Sequence, residues 1–520
     1  MSYTSMIYLL LVGAAFILYY VVPLKYRWYV LLAANIVFYL KAGVDELILM
    51  LLTALAAFLA GRRVGALCEE AKQLKKDKER KAERLEKTAR MYKIRTIGVI
   101  IVLTVLAIVK YTNFACRIGA RIIGQTPASF SFIVPMGISF YSFAMVAYLN
   151  DVAKGKVKCQ TNFLKFFLFV SFFPTVVEGP ISRYAQLGPQ LEEGHRFRFE
   201  NLRDGAILIL WGFAKKLVIA ESLNTFTSAI YDSWQDYSGV IFLAAAMVYS
   251  IQIYADFDGC MNVASGTARL FGIELTPNFL RPYFARTLPE FWRRWHVTMG
   301  AFFRDYVFFP FSISKFSTTL NRSARKKLGD KAGRIISAAL PIMVVWILTG
   351  IWHGAESKYI VWGLFHGILI MLGTICEPAI RAFTVKSGIR TECFSFRLFQ
   401  MLRTFLLCSI GRIFFRANSV GSAFCMIRSF IHPGLLSLRP QNLLELSGMS
   451  MLNVLVILVL LAAWLVVSCL EEKGVDVLAV FSEQNLIFRW ILLYALLLIV
   501  VLAGHYGSGY DAAAFIYEKF

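Results

Sequence analysis

Apolar runs recur along nearly the whole chain, separated by short polar stretches. They cover Ile7–Val22, Trp28–Leu40, Leu47–Ala60, Ile97–Val109, Phe132–Tyr148, Phe163–Val177, Phe197–Ala220, Val240–Tyr254, Ile335–Trp352, Ile360–Ile375, Phe399–Phe415, Leu452–Leu470 and Ile487–Val501. Many approach the roughly 20 residues that an α-helix needs to cross a bilayer. The pattern predicts an all-α, polytopic integral membrane protein with about eleven transmembrane helices, plus re-entrant or interfacial ones. Residues 1–520 read as one such membrane domain. The first run has neither a basic n-region nor a small-residue cleavage site, so it reads as a retained span.

The interruptions are as informative as the runs. Arg62–Arg95 is the most polar segment, rich in Lys, Arg, Glu and Ala, with Glu and Lys three and four apart. It predicts a solvated, helical, cytoplasmic loop. With three spans before it, the N-terminus faces outside. Pro135 and Gly137 loosen the start of Phe132–Tyr148. The stretch FFPTVVEGPISRY predicts broken backbone at the membrane boundary, buried in protein or lining a cavity. Lys215 and Lys216 sit inside the run of WGFAKKLVIA and suggest a helix that lies flat or ends at an interface. Asp256 and Asp258, in YADFDG, fall at an expected helix end, where a cap or ion pair competes with a substrate contact.

Composition supports a membrane protein: 58% of residues are hydrophobic, 17% are charged, and mean hydropathy is +0.60. Soluble domains carry about 25% charged residues. The net charge of +22 comes mainly from loops between apolar runs. It therefore points to the positive-inside rule and anionic headgroups of a lipid bilayer, not to nucleic acid. The nine cysteines form no CxxC pair and read as small buried hydrophobes, with no metal site implied.

The densest chemistry lies in residues 277–366. PNFLRPYFARTLPEFWRRWHVTMGAFFRDYVFFPF places Arg281, Arg286, Glu290, Arg293, Arg294, His296, Arg304 and Asp305 among apolar residues. Ionisable groups at membrane depth are costly and mark function. A helix is expected from Pro289, with Trp292, Trp295, His296, Met299 and Phe303 on one face, which turns His296 inward. The basic loop Asn321–Arg334 reads as cytoplasmic. Ile335–Trp352 then rises and Ile360–Ile375 returns, leaving His353 at an outer-side turn of a helical hairpin. By residue type alone, His296, His353 and His366 each fit a structural role as well as a chemical one.

No GxSxG elbow, Walker A loop, HExxH or Gly-rich dinucleotide loop occurs, and no histidines pair at metal-ligand spacing. FWRRWHVTMGAFFRDYVFFPF and LTGIWHGAESKYIVWGLFHG resemble the membrane-bound O-acyltransferase (MBOAT) family, in its bacterial alginate O-acetyltransferase-like branch. FFPTVVEGPISRY, WGFAKKLVIAESL, YADFDGCMNVASGTARLFGIELTPNFLRPY, GRIFFRANS and the ending FIYEKF agree. Glu178 departs, standing where a small residue is expected before Gly-Pro.

The resemblance implies a polytopic MBOAT fold and a catalytic core within 277–366. An acyl thioester donor, acetyl-CoA or an acyl carrier, would enter from the cytoplasm, with no bound cofactor. The acceptor would be a hydroxyl of an exported polysaccharide, reached directly or through an extracytoplasmic acetyltransferase- or esterase-like partner protein. His353 would be the general base. His296 would orient substrate or stabilise charge. Candidate substrate contacts are Arg293, Arg294, Trp352, Arg304, Asp305 and Asp256. The expected place is the plasma membrane of a bacterium. D-alanyl transfer to teichoic acid is the nearest alternative, and a transporter or a non-catalytic scaffold is the alternative of another class.

Overall fold

The computed structural model describes residues 2–76, 79–237, 239–430 and 448–506. The tail ending FIYEKF and His432 lie outside the described residues. Among those described there are helices and turns but no strand. Eight of the described helices are long and apolar enough to cross a membrane: Val44–Gln73, Lys81–Ile123, Ile241–Leu270, Ile335–His353, Ser357–Lys386, Phe394–Arg416, Met451–Glu472 and Leu486–Ala503. Several of the other apolar runs are broken or short. Met6–Val21 is apolar but only 16 residues long.

The described chain forms two compact units. The first comprises 2–209 and 260–276. It begins with α1 (Met6–Val21), capped by the Ser5 side chain, and α2 (Arg27–Ala42). The helices α3 (Val44–Gln73) and α4 (Lys81–Ile123) follow. The polar segment 62–95 is largely helical among its described residues, as expected. It is the charged extension of two long helices, joined by ion pairs such as Lys87 to Glu70 at 2.7 Å.

Helix α5 (Ile138–Ala153) starts six residues later than its apolar run. At its start Gly137 has φ 72°, and a Cβ there would run into the Val176 carbonyl. Helix α6 (Phe163–Val170) is only 8 residues long, and the backbone from Ser171 onward is irregular and buried. Burial demands partners for its polar groups. Asn35 supplies several: its Nδ2 donates to the Leu168 carbonyl (3.2 Å) and Ser171 Oγ (3.0 Å), and its Oδ1 accepts from Phe173 N (3.0 Å). The Tyr3 hydroxyl donates to the Pro174 carbonyl at 2.9 Å. The expected broken backbone is present and enclosed in protein, with Glu178 buried. Helix α7 (Tyr184–Glu193) and most of α8 (Phe199–Phe213) complete this part of the unit.

The second unit comprises 210–259 and 277–506. A π-helical stretch, Ala214–Ala220, leads to α9 (Glu221–Asp232). Helix α10 (Val240–Leu270) runs on well past Tyr254, so Asp256 and Asp258 are mid-helix and not at a helix end. Two short helices follow, α11 (Leu288–Arg294) and α12 (Val297–Phe303), then the π-turn Arg304–Phe308 and α13 (Phe309–Ser312). The expected continuous helix from Pro289 is therefore wrong: it breaks at Trp295 and His296. Helix α14 (Lys315–His353) includes the basic stretch expected as a loop and is interrupted only at Gly329, φ 86°. The remaining helices are α15 (Ser357–Lys386), α16 (Phe394–Arg416), α17 (Val420–Ser429), α18 (Met451–Glu472), α19 (Val477–Glu483) and α20 (Leu486–Ala503).

Candidate active site

The site is built in the second unit around a closed loop of chain. Val297 N donates to the Asn278 carbonyl and Leu280 N to the Arg294 carbonyl, both at 2.9 Å. These bonds tie 278–280 to 294–297. Within the clasp lie the two described non-glycine residues with positive φ, Arg281 (48°) and His296 (46°). Such backbone costs on the order of 1–3 kcal/mol and persists where the surroundings over-determine it. The clasp does this for His296, whose carbonyl accepts from Gly300 N at 3.0 Å to start α12.

His296 is fully buried. Its Nδ1 is 3.0 Å from Asn278 Oδ1, and that oxygen also accepts from Thr298 N (3.2 Å) and Thr298 Oγ1 (2.9 Å). Its ring lies edge-on to Phe257 at 5.0 Å and 5.9 Å from Trp352. Outside the long apolar helices, burial alone pushes this imidazole down to about 3, so it is neutral at ordinary pH.

His353 ends α14, and the chain turns through Gly354 into α15. The two helices of this hairpin pack at glycines, because a Cβ at Gly363 would run into the Trp346 carbonyl. His353 is buried against Trp352 (4.8 Å), Trp362 (4.8 Å) and Phe415 (5.1 Å). Trp352 therefore touches both histidines, and it brings the two motifs into one aromatic chamber. On the far side of Trp362, 5.1 Å away, lies His366, which Trp292 (4.8 Å) and Trp346 (5.4 Å) also enclose.

The other candidate contacts are spread more widely. Asp256 is buried and pairs with Lys216 at 2.6 Å; Lys216 also meets Glu221 at 2.8 Å. Beside it, Lys215 pairs with Asp258 and lies 4.8 Å over the Trp464 ring. Both lysines are thus buried in ion pairs and do not mark an interface as expected. They brace the stretch of α10 that presents Phe257 to His296. Arg294 makes a two-pronged contact with Glu472 (2.9–3.0 Å), which Arg281 joins at 2.8 Å. Arg304 pairs with its neighbour Asp305 at 2.9 Å, and Arg293 is exposed. Among the described residues, no group of His, Cys, Asp and Glu could hold a metal ion.

Sequence reasoning missed Asn278, Phe257 and Glu472. Nothing in local spacing points to Asn278, 18 residues before His296. The lysine–aspartate cluster did leave a signal: two cations in one apolar run and two anions in another call for each other at membrane depth.

The sequence pattern of the MBOAT, membrane-bound O-acyltransferase family matches residues 48–324, more than half of the chain. This chain belongs to that family. Membership makes it an O-acyltransferase. The match includes Asn278 and His296 and stops short of His353. Relatives extend the similarity. A probable alginate O-acetylase, AlgI, of Pseudomonas syringae pv. tomato is 29% identical over 461 residues, 88% of this chain and 80% of that protein. The peptidoglycan O-acetyltransferase of Helicobacter pylori is 27% identical, over 63% of this chain and 62% of its own length. The teichoic acid D-alanyltransferase of Bacillus subtilis is 28% identical, over 51% of this chain and 68% of its own.

Proposed function

We propose that this MBOAT protein moves an acetyl group from a cytoplasmic thioester, acetyl-CoA or an acyl carrier, to hydroxyls of an exported bacterial envelope polysaccharide. The single observation that carries the reading is the meeting of the RRWH and WHG histidines at one buried tryptophan, Trp352. The long similarity to alginate O-acetylases supports the acetyl group and the glycan. His353 is the general base: it takes the acceptor hydroxyl's proton as the new C–O bond forms and the C–S bond breaks, and the proton leaves with the thiol. His296 works beside it. Trp352 is the best-placed substrate contact, since it lies between them. Acyl transfer continues outside through an extracytoplasmic acetyltransferase- or esterase-like partner. The protein sits in the plasma membrane with its N-terminus outside.

Mass spectrometry of envelope polysaccharide from cells with and without the protein tests this. Loss of acetyl esters on deletion, and failure of His353→Ala to restore them, is the expected result. Loss of D-alanine esters with glycan acetyl esters unchanged would favour the second reading, which the similarity to D-alanyltransferases supports. Full restoration by His353→Ala would point to a transporter or scaffold.

A further inference from the structure

The hydrogen bonds at Asn278 determine more than a position. Thr298 N is a backbone N–H and can only donate, so the side-chain atom of Asn278 that it meets at 3.2 Å must be the carbonyl oxygen. Flipping the amide would face an NH2 against an N–H, which fixes an assignment that is often open. That same oxygen lies 3.0 Å from His296 Nδ1. Nδ1 must therefore carry the hydrogen and donate. A neutral imidazole has one N–H and one lone pair, so the lone pair is on Nε2.

We infer that Asn278 is a positioning residue that locks His296 in the tautomer whose Nε2 accepts a hydrogen bond. The inference rests on the reading of His296 as part of the acyl-transfer site, and it narrows that reading. A neutral His296 held this way cannot donate through Nε2 to a developing oxyanion. It can hold the acceptor hydroxyl by accepting its hydrogen bond, leaving the proton transfer itself to His353.

The charged groups on the elements packed around His296 leave this state intact. On α10, Asp256 and Asp258 flank Phe257 and are paired to Lys216 and Lys215. On α11, Arg294 is paired to Glu290 and Glu472, and Arg293 is exposed. After α12, Arg304 and Asp305 pair with each other, and His353 adjoins Trp352 at the end of α14.

The test is the pH profile of labelled acetyl transfer, in membranes holding the full chain, from acetyl-CoA to the host's envelope polysaccharide. Asn278→Asp keeps an oxygen that accepts all three hydrogen bonds but adds a negative charge. That charge raises the pKa of His296, so protonation removes the Nε2 lone pair at a higher pH. The expected result is near wild-type turnover at alkaline pH and a second protonation within the acidic limb, which falls more steeply than the single step that His353 alone would set. A merely structural asparagine would give no such second step, and an unchanged profile in folded Asn278→Asp would overturn the inference. A second pair of variants keeps the question decidable if that variant does not fold. His296→Gln places a carbonyl oxygen near the Nε2 position, whereas His296→Asn, well suited to positive φ, reaches only the Nδ1 position. Glutamine should retain at least tenfold more turnover per folded molecule; equal or greater activity of the asparagine variant would refute the tautomer assignment. Wild-type turnover by His296→Ala is a different failure: it would remove His296 from the site altogether.

Discussion

At the scale of single residues, the two histidines differ in how they are held. His353 ends a long helix with Trp352, Trp362 and Phe415 packed on its ring, and His296 is fixed by backbone clasp, side-chain bond and left-handed φ together. His353→Ala should lower turnover by roughly 10²–10⁴-fold, the usual contribution of positioned proton transfer. His296→Ala should also impair turnover. If both serve one unit around the acceptor hydroxyl, the double variant should be little worse than the poorer single one. Turnover measured on detergent-purified, monodisperse protein checks this, and two multiplying defects would separate the roles. Both histidines stood out in the sequence through the family resemblance of the motifs around them, since residue type alone fitted a structural role as well. Asn278 did not, since only folding brings its amide to a residue 18 positions on.

At the scale of elements, the apolar pattern located the helices well and their breaks poorly. Periodicity carried a helix straight through Trp295 and His296, because the inward face continues across the break even though the backbone does not. Pattern could not show that Leu280 and Arg294 are bonded there. It also treated Lys215 and Lys216 one run at a time, when their partners are on α10. Two predictions belong here. Lys216→Met would leave Asp256, itself 3% exposed, as a buried carboxylate without its nearest cation. Breaking such a pair costs about 3–5 kcal/mol, while replacing both partners by apolar residues is often neutral. Thermal unfolding in detergent should show a marked loss for Lys216→Met and partial recovery in Lys216→Met with Asp256→Leu, since Glu221 still loses its bond to Lys216. The second concerns the hairpin that carries His353. Gly363→Leu would force α14 and α15 apart at Trp346, at a cost of about 1–3 kcal/mol for overpacking. Its turnover should fall further than that stability loss accounts for, because His353 and Trp362 are both set by this contact.

At the scale of the whole molecule, burial and charge divide the surface into two kinds. Helix α20 is exposed along most of its apolar length, which suits contact with acyl chains. The polar ends of α3 and α4 and the first half of α14 carry the basic residues. Because α3 and α4 remain helical beyond their apolar windows, their charged ends would project past the headgroups as a rigid pair, linked from Lys87 to Glu70. By the positive-inside rule these ends, and the 321–330 stretch of α14, are expected in the cytoplasm. With His353 a further helix length along α14, the hairpin turn is then expected on the opposite side, the side of the acceptor in the proposed reaction. Single cysteines introduced at Arg80 and at Arg325, in a chain whose own cysteines are replaced by serine, test this arrangement. Neither should react with a membrane-impermeant thiol reagent in intact cells, and both should react once the cells are opened. A cysteine at Glu356, beside the hairpin turn, should show the reverse and label from outside. Labelling of Arg80→Cys or Arg325→Cys in intact cells would invert the protein in the membrane and put His353 on the donor's side.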